Sequence, residues 1–157
     1  MYQNIFDTHS HYDDEQFNDD RDSLLTALPS RGVIAAVSCG CDLNSTETNK
    51  KLAEKYEYIY FAAGFHPENL EGFSIDDLEK IKKYARHEKC VAIGEIGLDY
   101  HWMASPKETQ KEFFAAQCEL ANELDMPVIV HDREAHADTL DILKEYRPKG
   151  VLHCFSG

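Results

Sequence analysis

Residues 5–11 have the sequence Ile-Phe-Asp-Thr-His-Ser-His, which predicts a short strand with two histidines at its end. The histidines stand at positions i and i+2, and side chains two apart on an extended strand point to the same face. His9 and His11 can therefore approach a single point in space. The spacing predicts half of a metal site at the end of the first strand.

Six segments have the apolar composition of buried strands. Runs such as Val-Ile-Ala-Ala-Val and Pro-Val-Ile-Val are typical of parallel strands that are covered on both faces. The predicted strands are 4–8, 33–38, 58–63, 90–94, 127–130 and 151–154. Helical patterns lie between them, at 22–28, 44–56, 74–88, 105–124 and 134–146. In the fourth of these, Ser105 is the predicted N-cap and Pro106 occupies the first turn.

Alternating strands and helices predict either an open α/β sheet or a (β/α) barrel. Successive strands begin about 29 residues apart, the length of a βα unit, and polar residues cluster after nearly every strand. A barrel gathers all strand ends on the face where barrel enzymes keep their active sites. We therefore predict one TIM-type (β/α) barrel domain over residues 1–157. Eight units would need about 235 residues, so the predicted barrel is truncated after the sixth strand.

Composition restricts the function classes. The 157 residues carry a net charge of −13, which argues against nucleic-acid binding through a basic surface. It leaves open an enzyme that meets phosphates through bound metal ions. With no apolar run near the ~18 residues of a membrane span and no N-terminal signal pattern, we expect a cytoplasmic protein without membrane contact. The five cysteines show no disulfide pattern, and Cys39 and Cys41 are expected to be small buried thiols near a strand end rather than half of a metal site.

Five residues of metal-ligand type stand at the ends of apolar strands: His9, His11, Glu95, His131 and His153. Imidazoles and a carboxylate suit Zn, Mn, Fe or Ni, and oxygen-rich variants suit Mg. A carboxylate can bridge two ions, and two ions can clamp the attacking and leaving oxygens of a displaced phosphate. Glu95 is the clearest case because an uncompensated carboxylate inside an apolar strand would be costly; its alternative is an ion pair with Arg or Lys. The pattern predicts metal-assisted hydrolysis.

Other polar residues near the strand ends have less specific predictions. His66 either contacts substrate or forms a hydrogen bond at a turn. Asp99 and Tyr100 are predicted to support a ligand histidine. Arg133 is predicted to bind a phosphate oxygen, or else to pair with an acidic residue. We expect a solvated acidic loop at 13–15, 19 and 20, and surface positions for His87, His101 and His136.

Five stretches, in this order, resemble the TatD family of metal-dependent deoxyribonucleases. They are Phe-Asp-Thr-His-Ser-His, Ala-Ala-Gly-Phe-His-Pro-Glu, Ala-Ile-Gly-Glu-Ile-Gly-Leu-Asp-Tyr, Pro-Val-Ile-Val-His-Asp-Arg and Gly-Val-Leu-His-Cys-Phe-Ser-Gly. The resemblance spans the chain and implies exonucleolytic cleavage of DNA phosphodiester bonds. It implies two divalent ions, Mg, Mn or Zn, held by His9, His11, His131, His153 and a bridging Glu95. Glu95 and His66 are the predicted catalytic residues.

Two alternatives remain. Amidohydrolases that cleave C–N bonds also begin with His-x-His, but many bridge their metals with a modified lysine on the fourth strand, where this chain has Glu95. The resemblance also implies two further βα units, one of which supplies an aspartate to the metal site. A chain without these units is expected to be either an enzyme or a non-catalytic remnant. Metal occupancy would distinguish the two alternatives. Its first and sixth strands would be unpaired edges, which predicts a homo-oligomer.

Overall fold

One sheet of six parallel strands forms the centre of the computed structural model, which describes residues 3–155. The strands are β1 (Ile5–Ser10), β2 (Val33–Cys39), β3 (Ile59–Ala63), β4 (Cys90–Asp99), β5 (Val128–Arg133) and β6 (Gly150–Leu152). They lie side by side in chain order, and each is parallel to the next. This architecture, a half-barrel with helices between its strands, confirms the predicted fold class.

A helix follows each of the first five strands. The helices are α1 (Arg21–Ala27), α2 (Leu43–Lys55), α3 (Leu78–Tyr84), α4 (Lys107–Glu123) and α5 (His136–Tyr146). The third is shorter than predicted because residues Ile75–Asp77 form a separate 3-10 turn, closed by a capping box between Ser74 and Asp77. None of the helices in the described range is long and apolar enough to cross a membrane.

The predicted cap of α4 is wrong. The helix begins at Lys107 after Pro106, and no side chain caps it. Ser105 is buried before the helix, where its carbonyl accepts a hydrogen bond from Gln110 Nε2 at 2.8 Å. The sequence around Ser105 is compatible with an N-cap, but Ser105 instead contacts the helix through its backbone carbonyl, which binds the side chain of Gln110.

The predicted end of β4 is also wrong, and the error matters for the site. The strand continues five residues beyond Gly94, pairing Ile96 with Val130 and Leu98 with Asp132 of β5. The polar Glu95 suggested an end, whereas the strand continues through it with a register shift between Ile93 and Ile96, and the Glu95 N–H donates to the Gly40 carbonyl at 2.9 Å. Glu95 and Asp99 therefore both belong to the strand.

Two buried glutamines of α4 attach this helix to strand ends. The Phe65 N–H donates to Gln117 Oε1 at 2.7 Å, and Gln117 Nε2 donates back to the Phe65 carbonyl at 3.1 Å. Seven residues earlier, Gln110 makes the same reciprocal pair with the backbone of Asp99, at 2.8 and 3.0 Å. Because the two glutamines lie on one helix face, α4 fixes the ends of β3 and β4 with respect to each other.

Candidate metal centre

The carboxylate of Glu95 lies at the centre of a group of histidines and is only 2% exposed. Its Oε2 atom is 2.8 Å from His9 Nε2 and 3.2 Å from His11 Nε2. Its Oε1 atom is 3.2 Å from His131 Nδ1. The two oxygens of one buried carboxylate therefore face two different sets of imidazoles.

In two of these histidines, the ring nitrogen that points away from Glu95 forms a hydrogen bond, which fixes the tautomer of the ring. His11 Nδ1 lies 3.1 Å from the carbonyl oxygen of Cys39 and donates to it. His131 Nε2 lies 2.8 Å from Asp99 Oδ2 and donates to that carboxylate. A ring nitrogen that donates in this way leaves the other nitrogen with a lone pair, as in metal-ligating histidines. His11 Nε2 and His131 Nδ1 thus present lone pairs to Glu95.

This arrangement needs a cation. A carboxylate oxygen and an imidazole lone pair repel each other at 3.2 Å unless a proton or a metal ion lies between them. Glu95 Oε1 is buried and has no hydrogen-bond partner among the described residues. Burial favours the uncharged forms, but the nearby histidines lower the pKa of the Glu95 carboxyl group, Cys41 and Glu95 raise the pKa of His11, and Glu95 and Asp99 raise the pKa of His131. The site is therefore built to hold positive charge.

The donor set also fits a divalent ion. Nitrogen and oxygen ligands bound at about 2.1 Å to one ion lie roughly 3 Å apart, close to the 2.8–3.2 Å separations around Glu95. His153 lies beside these residues, with its ring stacked on that of His9 and the ring centroids 3.5 Å apart. Ligand atoms of His9, Glu95 and His153 all lie within 4.8 Å of one another. The structure thus brings the five predicted metal ligands to one place.

His66 lies beside these residues, in a state set by its own loop. Its Nδ1 atom accepts the backbone N–H of Glu68 at 3.2 Å, so the ring proton resides on Nε2. That nitrogen is 3.9 Å from Glu95 Oε2. Burial lowers the pKa of His66 to about 4, which keeps the ring neutral at pH 7. His66 thus forms the predicted hydrogen bond at a turn through Nδ1, and its Nε2–H remains available as a donor near Glu95.

One cavity of about 860 Å³ opens above these residues. Its lining includes acidic residues, and among residues 3–155 no lysine or arginine contributes to it. The prediction of a solvated loop is wrong for Asp13, which lines the cavity and accepts hydrogen bonds from Ser45 and Asn49 of α2. Arg133 is exposed and lines a smaller neighbouring pocket with His131 and His153.

Of the two residues predicted to support a ligand histidine, only Asp99 does so. Asp99 supports His131 as predicted, whereas the hydroxyl of Tyr100 donates to Asp138 at 2.6 Å instead. Cys39 is buried, but Cys41 lines the cavity, with Sγ 3.6 Å from the Nδ1 atom of His11.

Three residues near the site were given no role by the sequence patterns: Gln110, Gln117 and Glu68. The two glutamines bind strand-end backbone, and Glu68 lines the cavity. The available signals were two amides within the apolar stripe of α4 and a carboxylate that closely follows a strand end.

Comparisons with known proteins identify relatives of this chain. The family described as TatD related DNase matches residues 6–157. YabD of Bacillus subtilis, named an uncharacterized metal-dependent hydrolase, is 41% identical over 98% of this chain and 61% of its own length. The 3'-5' ssDNA/RNA exonuclease TatD of Escherichia coli is 34% identical over 98% of this chain and 60% of its own length. The chain thus spans about three fifths of the length of these curated relatives.

Solved structures show the same relationship. The crystal structure of YjjV, a TatD homologue from Escherichia coli, superimposes with a TM-score of 0.90 and 33% identity, covering 100% of this chain and 62% of that one. A TatD-family hydrolase from Entamoeba histolytica gives a TM-score of 0.86 at 27% identity, covering 100% of this chain and 60% of its own. The half-barrel therefore corresponds to a continuous part of a known fold.

Proposed function

Since the chain belongs to the TatD-related DNase family, we propose that it cleaves phosphodiester bonds of DNA with the help of two divalent ions, Mg, Mn or Zn. The observation that carries this proposal is the carboxylate of Glu95. Its Oε2 faces His9 and His11, whereas its Oε1, which has no hydrogen-bond partner within residues 3–155, faces His131. Such an arrangement suits a carboxylate that bridges two ions.

In this proposal the histidines fall into two sets. His9, His11 and His153 would hold one ion together with Glu95, and His131 would hold the other together with Glu95. When bound, a pair of ions of this kind polarises a phosphate and makes a hydroxide available near neutral pH. The surrounding residues orient the ligands, as the Asp99 hydrogen bond does for His131.

His66 is assigned to the substrate. Its neutral ring places an N–H donor, Nε2, near the Glu95 carboxylate without competing for a metal ion. A donor fixed in a largely buried position stabilises negative charge on a phosphate oxygen more effectively than a mobile one. The tautomer is set by the backbone of Glu68, so the donor is oriented before substrate binds.

The negative charge of the cavity favours binding of a nucleic-acid terminus over binding of an internal segment of the strand. Asp14, Glu15 and Asp42 line one wall, and a polyanion that ran along this wall would meet repulsion rather than counter-charge. A terminal phosphodiester can reach the histidines while the rest of the strand stays outside. This agrees with relatives that are named 3'-5' ssDNA/RNA exonucleases.

The test is the product pattern from a single-stranded oligonucleotide labelled at its 5' end. With Mn²⁺ or Mg²⁺, we expect a ladder that shortens from the 3' end and stops on addition of a chelator. The same oligonucleotide closed into a circle is the control and should resist cleavage. Cleavage of the circle would contradict the exonuclease assignment, and cleavage of neither by metal-loaded protein would contradict the substrate class.

We also propose that the chain self-associates through its outermost strands. Within residues 3–155, β1 and β6 each pair with one strand only. Phe6 and Val151 on these strands are 57% and 45% exposed and line a shared apolar pocket on the sheet. Exposed apolar strand edges are sites of pairing with another chain.

Light scattering at increasing protein concentration measures this association. We expect a mass above that of one chain, and a shift toward the monomer when Phe6 is replaced by Lys. Leu140→Lys is the matched control, because Leu140 is 43% exposed and lies on the helix α5 rather than on a strand. A sharp monomer at every concentration would refute the proposal.

A further inference from the structure

The turn that follows β4 presents an exposed aromatic side chain at the same edge of the sheet as the metal centre. The strand ends at Asp99, and Trp102, three residues later, is 68% exposed. Trp102 is also the one tryptophan of the chain. Its backbone N–H donates to Asp99 Oδ1 at 2.8 Å, while Asp99 Oδ2 accepts from Nε2 of His131. One buried carboxylate therefore holds both a proposed metal ligand and the turn that carries the indole.

His101 restrains the indole from the side. Its Nδ1 atom donates to Glu134 Oε1 at 2.9 Å. The ring of His101 lies almost perpendicular to that of Trp102, with the ring centroids 4.7 Å apart, and perpendicular packing of this kind favours one relative orientation of two rings. The indole is thus supported by a neighbour and yet remains largely exposed, as a surface for stacking must be.

We propose that Trp102 stacks on a nucleobase of the single-stranded substrate, close to the phosphodiester bond that is cleaved. The inference rests on the function proposed above and deepens it by assigning a residue that binds the base. Stacking of bases on aromatic side chains binds single strands with little dependence on sequence, because every base has a π-face. Such a contact supplies affinity that the large cavity cannot supply through charge, since no lysine or arginine among residues 3–155 lines it.

The charges around this turn suit a polyanion better than the acidic wall of the cavity does. Arg133 is exposed and lines the smaller pocket beside the metal centre. Lys107 Nζ lies 3.9 Å from the centre of the Tyr100 ring, at the start of α4. The nearby carboxylates of Glu134 and Asp138 each have a hydrogen-bond partner. A strand that approaches from the side of β4 and β5 therefore meets the indole and two cations.

The fluorescence of the single tryptophan tests the contact without a chemical step. Titration of the Mg²⁺-loaded protein with deoxyadenosine 5'-monophosphate should quench the emission, because a stacked base lies directly against the indole. Deoxyribose 5-phosphate is the matched control: it has the same sugar and phosphate without a base, and it should leave the emission unchanged. Equal responses to the two compounds, or no response to either, would overturn the base contact.

Steady-state kinetics of the Mn²⁺-loaded protein on single-stranded DNA measures the contribution of the contact. Trp102→Ala should raise KM roughly tenfold or more, as expected for the loss of one stacked base, with little change in kcat, and Trp102→Phe should recover most of the loss. On a strand whose 3'-terminal nucleotides lack bases, Trp102→Ala and wild type should have equal KM values. Ile34→Ala is the control, because Ile34 is 57% exposed near the start of β2, at the opposite end of the strands from the metal centre.

The outcomes separate this inference from the function on which it rests. Cleavage of DNA with the same KM in wild type and Trp102→Ala would overturn the base contact and leave the nuclease function intact. A wild-type protein that neither cleaves DNA nor responds to the mononucleotide would overturn both. A melting temperature of Trp102→Ala equal to that of wild type would show that the raised KM does not reflect unfolding.

Discussion

Replacement of Glu95 by glutamine is expected to weaken the binding of both metal ions by about 100-fold or more, beyond the 10–100-fold typical of residues that only support a ligand. The amide is uncharged, and its nitrogen would present hydrogens to lone pairs of the histidines. Since the two oxygens of Glu95 face His9 and His11 on one side and His131 on the other, one substitution damages both halves of the site. Hydrolysis should be lost together with metal.

Calorimetric titration with Mn²⁺ measures this effect. His66→Ala is the comparison, because His66 lies in the same cavity and contributes no ligand in our assignment. It should leave metal affinity nearly unchanged and reduce the rate of hydrolysis. Equal losses of metal affinity in the two variants would remove Glu95 from its bridging role.

The Gln117→Leu substitution is expected to lower the free energy of unfolding by about 2–6 kcal/mol. Leucine matches the apolar surroundings of α4, but it leaves the N–H and carbonyl groups of Phe65 buried without their partners. Each unsatisfied buried group costs about 1–3 kcal/mol. The loop that carries His66 should loosen at the same time, since Phe65 immediately precedes it.

Urea denaturation of the metal-free protein measures the stability change without a contribution from bound ions. Gln16→Leu is the matched control because Gln16 is exposed, and surface changes of this kind are usually within about 0.5 kcal/mol. Similar midpoints for wild type and Gln117→Leu would show that other groups satisfy the Phe65 backbone.

The strands could be predicted because their apolar runs are continuous. Their ends were less predictable: β1 and β5 run two and three residues past the predicted ends, and β4, where Glu95 interrupts the pattern, runs five residues past. A buried carboxylate normally excludes a strand interior, but here histidines from β1 and β5 and the adjoining loop residue His11 surround it. That compensation comes from residues far apart in sequence, so it is absent from any local pattern.

The candidate site was predictable to the extent that parallel strands place their ends on one edge. This rule is enough to predict that the five residues named above as metal ligands lie close together. It does not predict the supporting contacts. Gln117 binds the backbone of a residue 52 positions away, and Asp13 binds Asn49 36 positions away. Such contacts depend on how helices pack on the sheet, which residue types alone do not specify.

The number of metal ions that each chain binds is the most direct test of the proposed two-ion site. The protein would be stripped with a chelator, reloaded with Mn²⁺, freed of excess ions and analysed by elemental spectrometry. We predict about two ions per chain, because the oxygens of Glu95 face two sets of imidazoles. An absence of stoichiometric metal would contradict the two-ion site and favour the non-catalytic alternative.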